Sequence, residues 1–180
     1  MKLAVLGRDG VINHATPYII RRPEDWHPYP GSIEAIARLN RADYLVVIAS
    51  NQPGIAQGLI DMDSLNRIHE RMQQQLRRCG GSLDAIFFCP SDDDNHPDRK
   101  PNPGLLLAIA QRFGVALDNV PVIGDCLKDI RAAQAVHAQP LLVLTGEGEL
   151  TAARLPERSV PVFPDLAAAV DYCLKDEGED

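Results

Sequence analysis

The sequence predicts an α/β fold: a three-layer, Rossmann-like parallel sheet with helices on both faces and no large cap domain. Short apolar runs at Lys2–Leu6, Tyr44–Ala49, Asp84–Cys89, Val120–Ile123 and Pro140–Leu144 end in Gly, Pro, Ser or Asp, as buried strands do. Segments with helical spacing separate these runs, and strands alternating with helices give a parallel sheet covered on both faces. A length of 180 residues suits one domain, spanning 1–180, with a single sizeable core.

The first strand, Lys2–Leu6, runs straight into Gly7-Arg8-Asp9-Gly10, where the apolar pattern stops. In an open α/β sheet such a loop lies at the carboxyl edge, where ligands bind. The segment His14–Pro30 carries prolines at 17, 23, 28 and 30, so no regular structure is expected in it. A connection that long in a compact domain points to a functional role. A helix then opens at Gly31-Ser32, with Ser32 as its expected N-cap and Ile33, Ile36, Ala37 and Leu39 on one face.

The second strand ends in Ser50-Asn51-Gln52-Pro53-Gly54. The following helix, from near Asp61 to Cys79, carries Leu65, Ile68, Met72 and Leu76 on one face and stops at Gly80-Gly81. The third strand leads into a polar loop, Pro90 to Pro103, that closes with Asp98-Arg99-Lys100-Pro101-Asn102-Pro103-Gly104; a helix runs on to about Phe113. The fourth strand lands on Gly124-Asp125-Cys126-Leu127-Lys128-Asp129, with a short helix through Val136 and then the fifth strand. The remainder reads as a helix near Glu149–Arg154, a strand near Val160–Phe163, a helix over Asp165–Leu174 and a frayed acidic tail, Lys175–Asp180.

Composition narrows the function classes. With 45% hydrophobic and 24% charged residues the chain reads as an ordinary globular protein. A net charge of -7 and a pI near 5.2 argue against a nucleic-acid partner, which needs a basic face, but leave room for a local basic pocket. Cysteines at 79, 89, 126 and 173 form no CxxC pair, which fits reduced cytosolic thiols. The opening apolar run is too short for a signal sequence, and no stretch approaches the roughly 20 apolar residues of a membrane span. A soluble, cytoplasmic monomer is expected.

Four strand ends carry chemistry: Arg8-Asp9 after the first, Ser50-Asn51 after the second, Arg99-Lys100 in the loop after the third, and Asp125 with Asp129 after the fourth. Acids suit Mg²⁺, a hard ion that takes carboxylate and water oxygens. A hydroxyl, amides and cations suit a phosphoryl group, whose transfer is mostly positioning and charge stabilisation. Taken singly, each piece has a plainer explanation. Asp9-Gly10 is a common turn dipeptide and Ser50-Asn51 can cap a turn. Lys100 alone would be a solvated lysine, Asp125 a helix N-cap, and Asp129 an acid favoured in a first helical turn. Their order at successive strand ends is what those explanations leave unaccounted for.

In that order the residues resemble the haloacid-dehalogenase superfamily of phosphotransferases. Its pattern of acid-x-acid, Ser or Thr, Lys and an acidic pair is read here as Gly7-Arg8-Asp9, Ser50, Lys100 and Gly124-Asp125 with Asp129. The likeness extends to about residue 145. More narrowly, RDGVIN, SNQPGIAQG, DRKPNPG and GDCLKD resemble the D-glycero-D-manno-heptose 1,7-bisphosphate 7-phosphatases, with the histidinol-phosphate phosphatases the nearest confusable relatives. The resemblance implies Mg²⁺-dependent removal of phosphate from a small phosphorylated sugar. It makes position 7 the nucleophile and Asp9 the general acid/base. The metal would be held by the acid at 7, the backbone carbonyl of Asp9 and Asp125, with Asp129 in support. Ser50 and Lys100 would bind the phosphoryl group; Ala15, Thr16, Pro17, Tyr18, Asn51, Gln52, Pro53 and Arg99 would contact substrate. Guanidinium gives bidentate phosphate recognition, so Arg99 is the candidate for a second anionic or hydroxyl-rich part of the substrate.

The chain departs from the family pattern twice. Relatives carry a zinc loop, Cys-x-His then Cys-x-Cys, before the Arg-Lys pair. Here Cys89 and His96 remain, but Ser91 stands where His is expected and no cysteine follows, so four N/S ligands cannot be assembled and no zinc is expected. The shortened loop, with Asp92, Asp93 and Asp94 as a solvated turn, is expected to pack on its own or stay mobile. The second departure is Gly7, which can neither form a phospho-enzyme nor ligate metal; losing a covalent nucleophile costs on the order of 10⁴-fold or more in rate. A turn glycine, kept for its backbone freedom, is the plain alternative. The rival function is a non-catalytic phosphate-binding protein. A dinucleotide-binding domain is excluded, because no GxGxxG follows the first strand and no GxxxxGK precedes a Ser or Thr anywhere.

Overall fold

A computed structural model describes residues 1–14 and 19–175. Six parallel strands, β1 (Lys2–Leu6), β2 (Tyr44–Asn51), β3 (Ala85–Cys89), β4 (Pro121–Gly124), β5 (Gln139–Val143) and β6 (Val162–Phe163), form one sheet in the order β3-β2-β1-β4-β5-β6. Among the described residues five α-helices connect them and a sixth follows β6: α1 (Ser32–Arg41), α2 (Met62–Arg78), α3 (Gly104–Phe113), α4 (Leu127–Ala135), α5 (Gly148–Arg154) and, last, α6 (Leu166–Lys175).

The alternation along β1 and β2 sorts the layers. Ala4, Leu6, Val46 and Ile48 face a cluster with Ile36 and Leu39 of α1, Leu65, Ile68 and Met72 of α2, and Val170 of α6. Leu3, Val5, Val47 and Ala49 face the other way, onto Leu105, Leu106 and Ile109 of α3 and Ala132 and Ala133 of α4. Strands buried on both faces need continuous apolar runs, which is why these segments show no polar alternation. β1 pairs with β2 from Lys2↔Tyr44 to Leu6↔Ile48, and with β4 at Val5↔Val122 and Leu6↔Ile123. The order in which successive strands are added to the sheet reverses between β1 and β4, so a crevice opens beyond their carboxyl ends, the usual ligand position in this architecture.

Strand and helix limits agree with the expected ones to within a residue or two. Two local expectations change. Ser32 is the first helical residue rather than the N-cap, which is Gly31 at φ 79°. Its hydroxyl donates to the carbonyls of Ile12 (2.7 Å) and Tyr29 (2.9 Å), tying α1 to the segment after β1. That segment also contains a short 3-10 turn, Pro23–Asp25, where no regular structure was expected. Proline at the first position of such a turn loses no hydrogen bond, because that N–H is unpaired anyway. Trp26, directly after it, is fully buried with Ile12, Ile20, Leu65 and Ile68 and pins the segment to the core. α2 is capped as its sequence suggests, Asp61 accepting from the Ser64 N–H at 2.7 Å. Residues 15–18 and the tail beyond 175 lie outside the described residues.

Trp26→Ala is expected to destabilise the chain by about 3–5 kcal/mol, the cost of emptying a buried aromatic site. Urea denaturation measures this; a loss below about 1 kcal/mol would mean that Trp26 is not the anchor.

Candidate active site

The loop after β1 turns sharply. Gly7 N–H donates to the Ile123 carbonyl at 2.9 Å, carrying the sheet one residue further, and the Arg8 carbonyl accepts from Ile12 N–H at 2.9 Å. Gly10 must be glycine: its φ is 82°, and a Cβ there would stand 2.0 Å from Asp125 Oδ2. Gly7 is different. Its backbone lies outside the left-handed region, and a Cβ would meet Val11 Cγ2 at 3.1 Å and the Ile123 carbonyl at 3.7 Å. A Cβ there requires the buried Val11 methyl to yield a few tenths of an ångström. Backbone freedom therefore does not explain Gly7.

Asp9 is held by four donors. Oδ1 accepts from Arg8 Nε (3.0 Å) and Asn13 Nδ2 (2.9 Å); Oδ2 accepts from Arg8 Nη2 (3.1 Å) and Gln52 Nε2 (3.3 Å). Burial pushes the carboxyl up, but the Arg8 charge and the bonds from Asn13, Arg8 and Gln52 outweigh it and hold Asp9 below the usual carboxylate range. The side chain remains 38% exposed, open to the cavity in front of it. Gln52 also donates to Ser50 Oγ at 2.8 Å, which leaves the Ser50 hydroxyl proton free to point outward.

Asn51 fixes Lys100. Its amide accepts from Lys100 N–H and donates to the Lys100 carbonyl, both at 3.0 Å. The ammonium then reaches the Ala49 carbonyl (2.7 Å) and Asp129 Oδ1 (2.6 Å) in a buried setting. Burial alone would lower the Lys100 pKa, but Asp129 more than offsets this and the net direction is up, so the cation persists. Reciprocally, burial raises Asp129 while Lys100 and the hydrogen bonds bring it below its ordinary value. Asp129 Oδ2 accepts from the N–H groups of Asp125 (3.1 Å) and Cys126 (3.2 Å), so it also caps α4, whose N-cap is Cys126 rather than Asp125.

Asp125 carries the surplus charge. Oδ2 accepts from Glu147 N–H at 2.9 Å and Thr151 Oγ1 donates to its carbonyl at 2.9 Å, but no ion pair reaches it among the described residues. Burial, then the Asp129 charge, push its carboxyl up to about 7. Ligand atoms of Asp125, Cys126 and Asp129 lie within 4.8 Å of one another. Burial and the Asp129 charge also push the Cys126 thiol well up, so it stays protonated and offers no thiolate. What remains is an oxygen site with one carboxylate lacking a counter-ion, and this fits a hard divalent cation better than a soft one.

These groups line one cavity of about 480 Å³, together with Gly7, Arg8, Asn51, Pro53, Arg99, Lys128, Gly146 and Glu147. Gln52 stands behind its wall. Ala15, Thr16, Pro17 and Tyr18 lie outside the described residues. Arg99 borders the cavity but is partly committed, donating from Nε to Asp94 Oδ1 (3.1 Å) and from Nη1 to the Ser91 carbonyl (3.0 Å). With Asn102 donating to the Asp94 and His96 carbonyls, these bonds pack the 90–103 loop on itself. Within it Cys89 Sγ and His96 Nδ1 are 3.6 Å apart, and the three acids Asp92, Asp93 and Asp94 are exposed. The sequence gives no sign of the segment after β5, where Gly146 and Glu147 close over Asp125, or of the burial of Arg8.

A doubly wound sheet with acid, hydroxyl and lysine converging at its switch point defines a phosphotransfer scaffold of the haloacid-dehalogenase type. A HAD-hydrolase-like family model matches residues 98–169, and a polynucleotide kinase 3 phosphatase model matches residues 9–129. The chain is 46% identical over 179 residues to a D-glycero-beta-D-manno-heptose-1,7-bisphosphate 7-phosphatase of Bordetella bronchiseptica, covering 98% of this chain and 99% of that one. It is 43% identical to the enzyme of that name from Pseudomonas putida, over 93% and 97% of the two chains. The crystal structure of D,D-heptose 1,7-bisphosphate phosphatase from B. bronchiseptica, complexed with magnesium and phosphate, superposes with a TM-score of 0.94 at 46% identity, covering 98% and 99%. The chain belongs to the D-glycero-D-manno-heptose 1,7-bisphosphate 7-phosphatase family of phosphoric monoester hydrolases, within the haloacid-dehalogenase superfamily.

The raised Asp125 carboxyl would give cation binding at this site a pH dependence. Its folded value of about 7 stands above the unfolded one, so without a cation Asp125 costs stability as pH rises from near 4 through about 7. A cation that takes the ionised form reverses that cost. Mg²⁺ is expected to raise the melting temperature of this chain more at pH 8 than at pH 6 in thermal-shift measurements; an equal shift at both would contradict the assignment of Asp125.

Proposed function

We propose that the chain has the scaffold of a Mg²⁺-dependent phosphatase for the 7-phosphate of D-glycero-D-manno-heptose 1,7-bisphosphate, impaired because Gly7 leaves the nucleophile position without a carboxylate. The observation that carries this reading is a cavity in which Asp9, Ser50, Lys100 and Asp125 surround a glycine that its own backbone does not require. The names of relatives 43–46% identical over nearly the whole chain support the substrate class. The magnesium and phosphate in the B. bronchiseptica crystal structure support the cofactor.

The residues divide the work as follows. The Ser50 hydroxyl and the Lys100 ammonium hold the phosphoryl oxygens, their positions fixed by Gln52 and by Asn51 with Asp129. Asp9 hands a proton to the leaving sugar oxygen, then takes one from the attacking water. Held below the usual carboxylate range by Arg8, Asn13 and Gln52, it gains proton affinity when substrate displaces those donors or brings negative charge beside it. Asp125 and the Asp9 carbonyl are the groups to hold Mg²⁺, which when bound supplies charge neutralisation at the phosphoryl group. An aspartate at 7 would attack phosphorus and split one displacement into two. Arg99 and the exposed Lys128 border the cavity and suit a second phosphate. In this reading the chain is one domain, a monomer and cytoplasmic, with no nucleic-acid or membrane partner.

The same groups would serve a protein that binds phosphate without turning it over, and one assay separates the two. Phosphate release from heptose 1,7-bisphosphate with Mg²⁺ is measured for this chain and for Gly7→Asp. The unaltered chain is expected to be slower by on the order of 10⁴-fold. A Gly7→Asp chain inactive on this substrate, on histidinol phosphate and on other monoesters would sink the phosphatase reading. Fast turnover by the unaltered chain would show instead that position 7 is not the nucleophile.

A further inference from the structure

α2 carries a polar residue on its apolar face that the roles above do not use. His69 stands among Leu65, Ile68, Met72 and Leu76, is only 7% exposed, and has Nε2 3.0 Å from Arg8 Nη1. A guanidinium only donates, so Nε2 accepts and the ring proton sits on Nδ1. Burial first, then the Arg8 charge, push the His69 pKa down to about 4, which agrees with a neutral ring.

Arg8 is fully buried at its side chain and is anchored on both sides. Nε and Nη2 fork onto the two Asp9 oxygens, and Nη1 goes to His69, 61 residues away in sequence. The fork alone fixes the plane shared with Asp9, and that plane can still swing about the Asp9 side chain. The third bond ties the plane to α2, and so to the core. Removing the acceptor would leave a buried N–H unpaired and draw the guanidinium towards another partner, with Asp9 following.

We propose that His69 is a positioning residue for this site: through Arg8 it sets the orientation of the Asp9 carboxylate that faces the cavity. This deepens the phosphatase reading and rests on it for its catalytic consequence. Displacements of about 1 Å at a reacting group cost about 10²-fold, so the loss should appear in the step that Asp9 serves.

The test uses the Gly7→Asp chain with two changes at position 69. His69→Leu is expected to lower kcat/KM for the sugar phosphate by about tenfold to a hundredfold, in the range of lost outer supports. It should leave kcat/KM for p-nitrophenyl phosphate nearly unchanged, because that leaving group departs without a proton and kcat/KM ends at its departure. His69→Gln, whose amide oxygen can take the place of Nε2, is expected to restore most of the loss. Equal losses on both substrates, or no loss on either, overturn the proposal. A second measurement needs no activity: in the chain as it exists, the Arg8 Nη1 protons, one of which His69 accepts, are expected to exchange slowly with solvent by ¹⁵N NMR, faster in His69→Leu and slowly again in His69→Gln. Unchanged exchange in His69→Leu overturns the anchoring itself. Exchange that changes as expected, beside an inactive Gly7→Asp chain, would retain the anchor and reject only its catalytic use.

Discussion

Three carboxylates meet beyond the ends of β1 and β4, and among the described residues two buried cations, Arg8 and Lys100, are there to balance them. Arg8 takes Asp9, Lys100 takes Asp129, and Asp125 is left over. Buried ion pairs are stabilising only when the remaining donors and acceptors are also satisfied. The neighbouring structure meets that condition. Asn13 and Gln52 donate further to Asp9, the Ala49 carbonyl accepts a second bond from the Lys100 ammonium while the Asn51 amide holds the Lys100 backbone, and the α4 N-terminus donates to Asp129. Asp125 has no cationic partner among the described residues, and burial and the Asp129 charge push its carboxyl up to about 7. In the reading proposed above, a divalent cation is what meets its ionised form.

Topology makes the meeting possible. β1 and β4 are adjacent in the sheet although more than a hundred residues separate them, so their two end loops share one crevice. Backbone has to come close there, and glycine allows it: a Cβ at Gly10 or Gly146 would stand 2.0 or 2.2 Å from Asp125 Oδ2, and one at Gly124 would stand 2.2 Å from Asp129 Cβ. Gly7 does not belong with them. It lines the cavity with a backbone that any residue can adopt, and the Val11 methyl 3.1 Å from a Cβ is the one tight contact a side chain would meet there.

Much of the site was legible because its parts end successive strands. Short apolar runs that stop at Asp9, Ser50 and Asp125 place those residues at one edge before any coordinate is known, and Lys100 follows from its motif. What depends on long-range pairing was not legible. Asn51 was named for substrate, yet its amide clamps the Lys100 backbone, a pairing 49 residues apart that only the fold creates. Arg8 was visible as a charge between two motif positions, and nothing local says that it is buried against α2. His69 did leave a signal, a histidine within an otherwise apolar stripe at 65, 68, 72 and 76, but the stripe alone does not name a partner. Nor does a glycine letter reveal its φ, so Gly7 and Gly10 look alike in sequence and differ in what they tolerate.

The proposal that position 7 is the nucleophile position is tested most directly by trapping the covalent intermediate. The Gly7→Asp chain, mixed with heptose 1,7-bisphosphate and Mg²⁺ and quenched in acid, is predicted to carry a hydroxylamine-labile phosphoryl group on residue 7 by peptide mass spectrometry, and the unaltered chain to carry none. A phosphoryl group on any other residue, formed and lost at the rate of turnover, would contradict it.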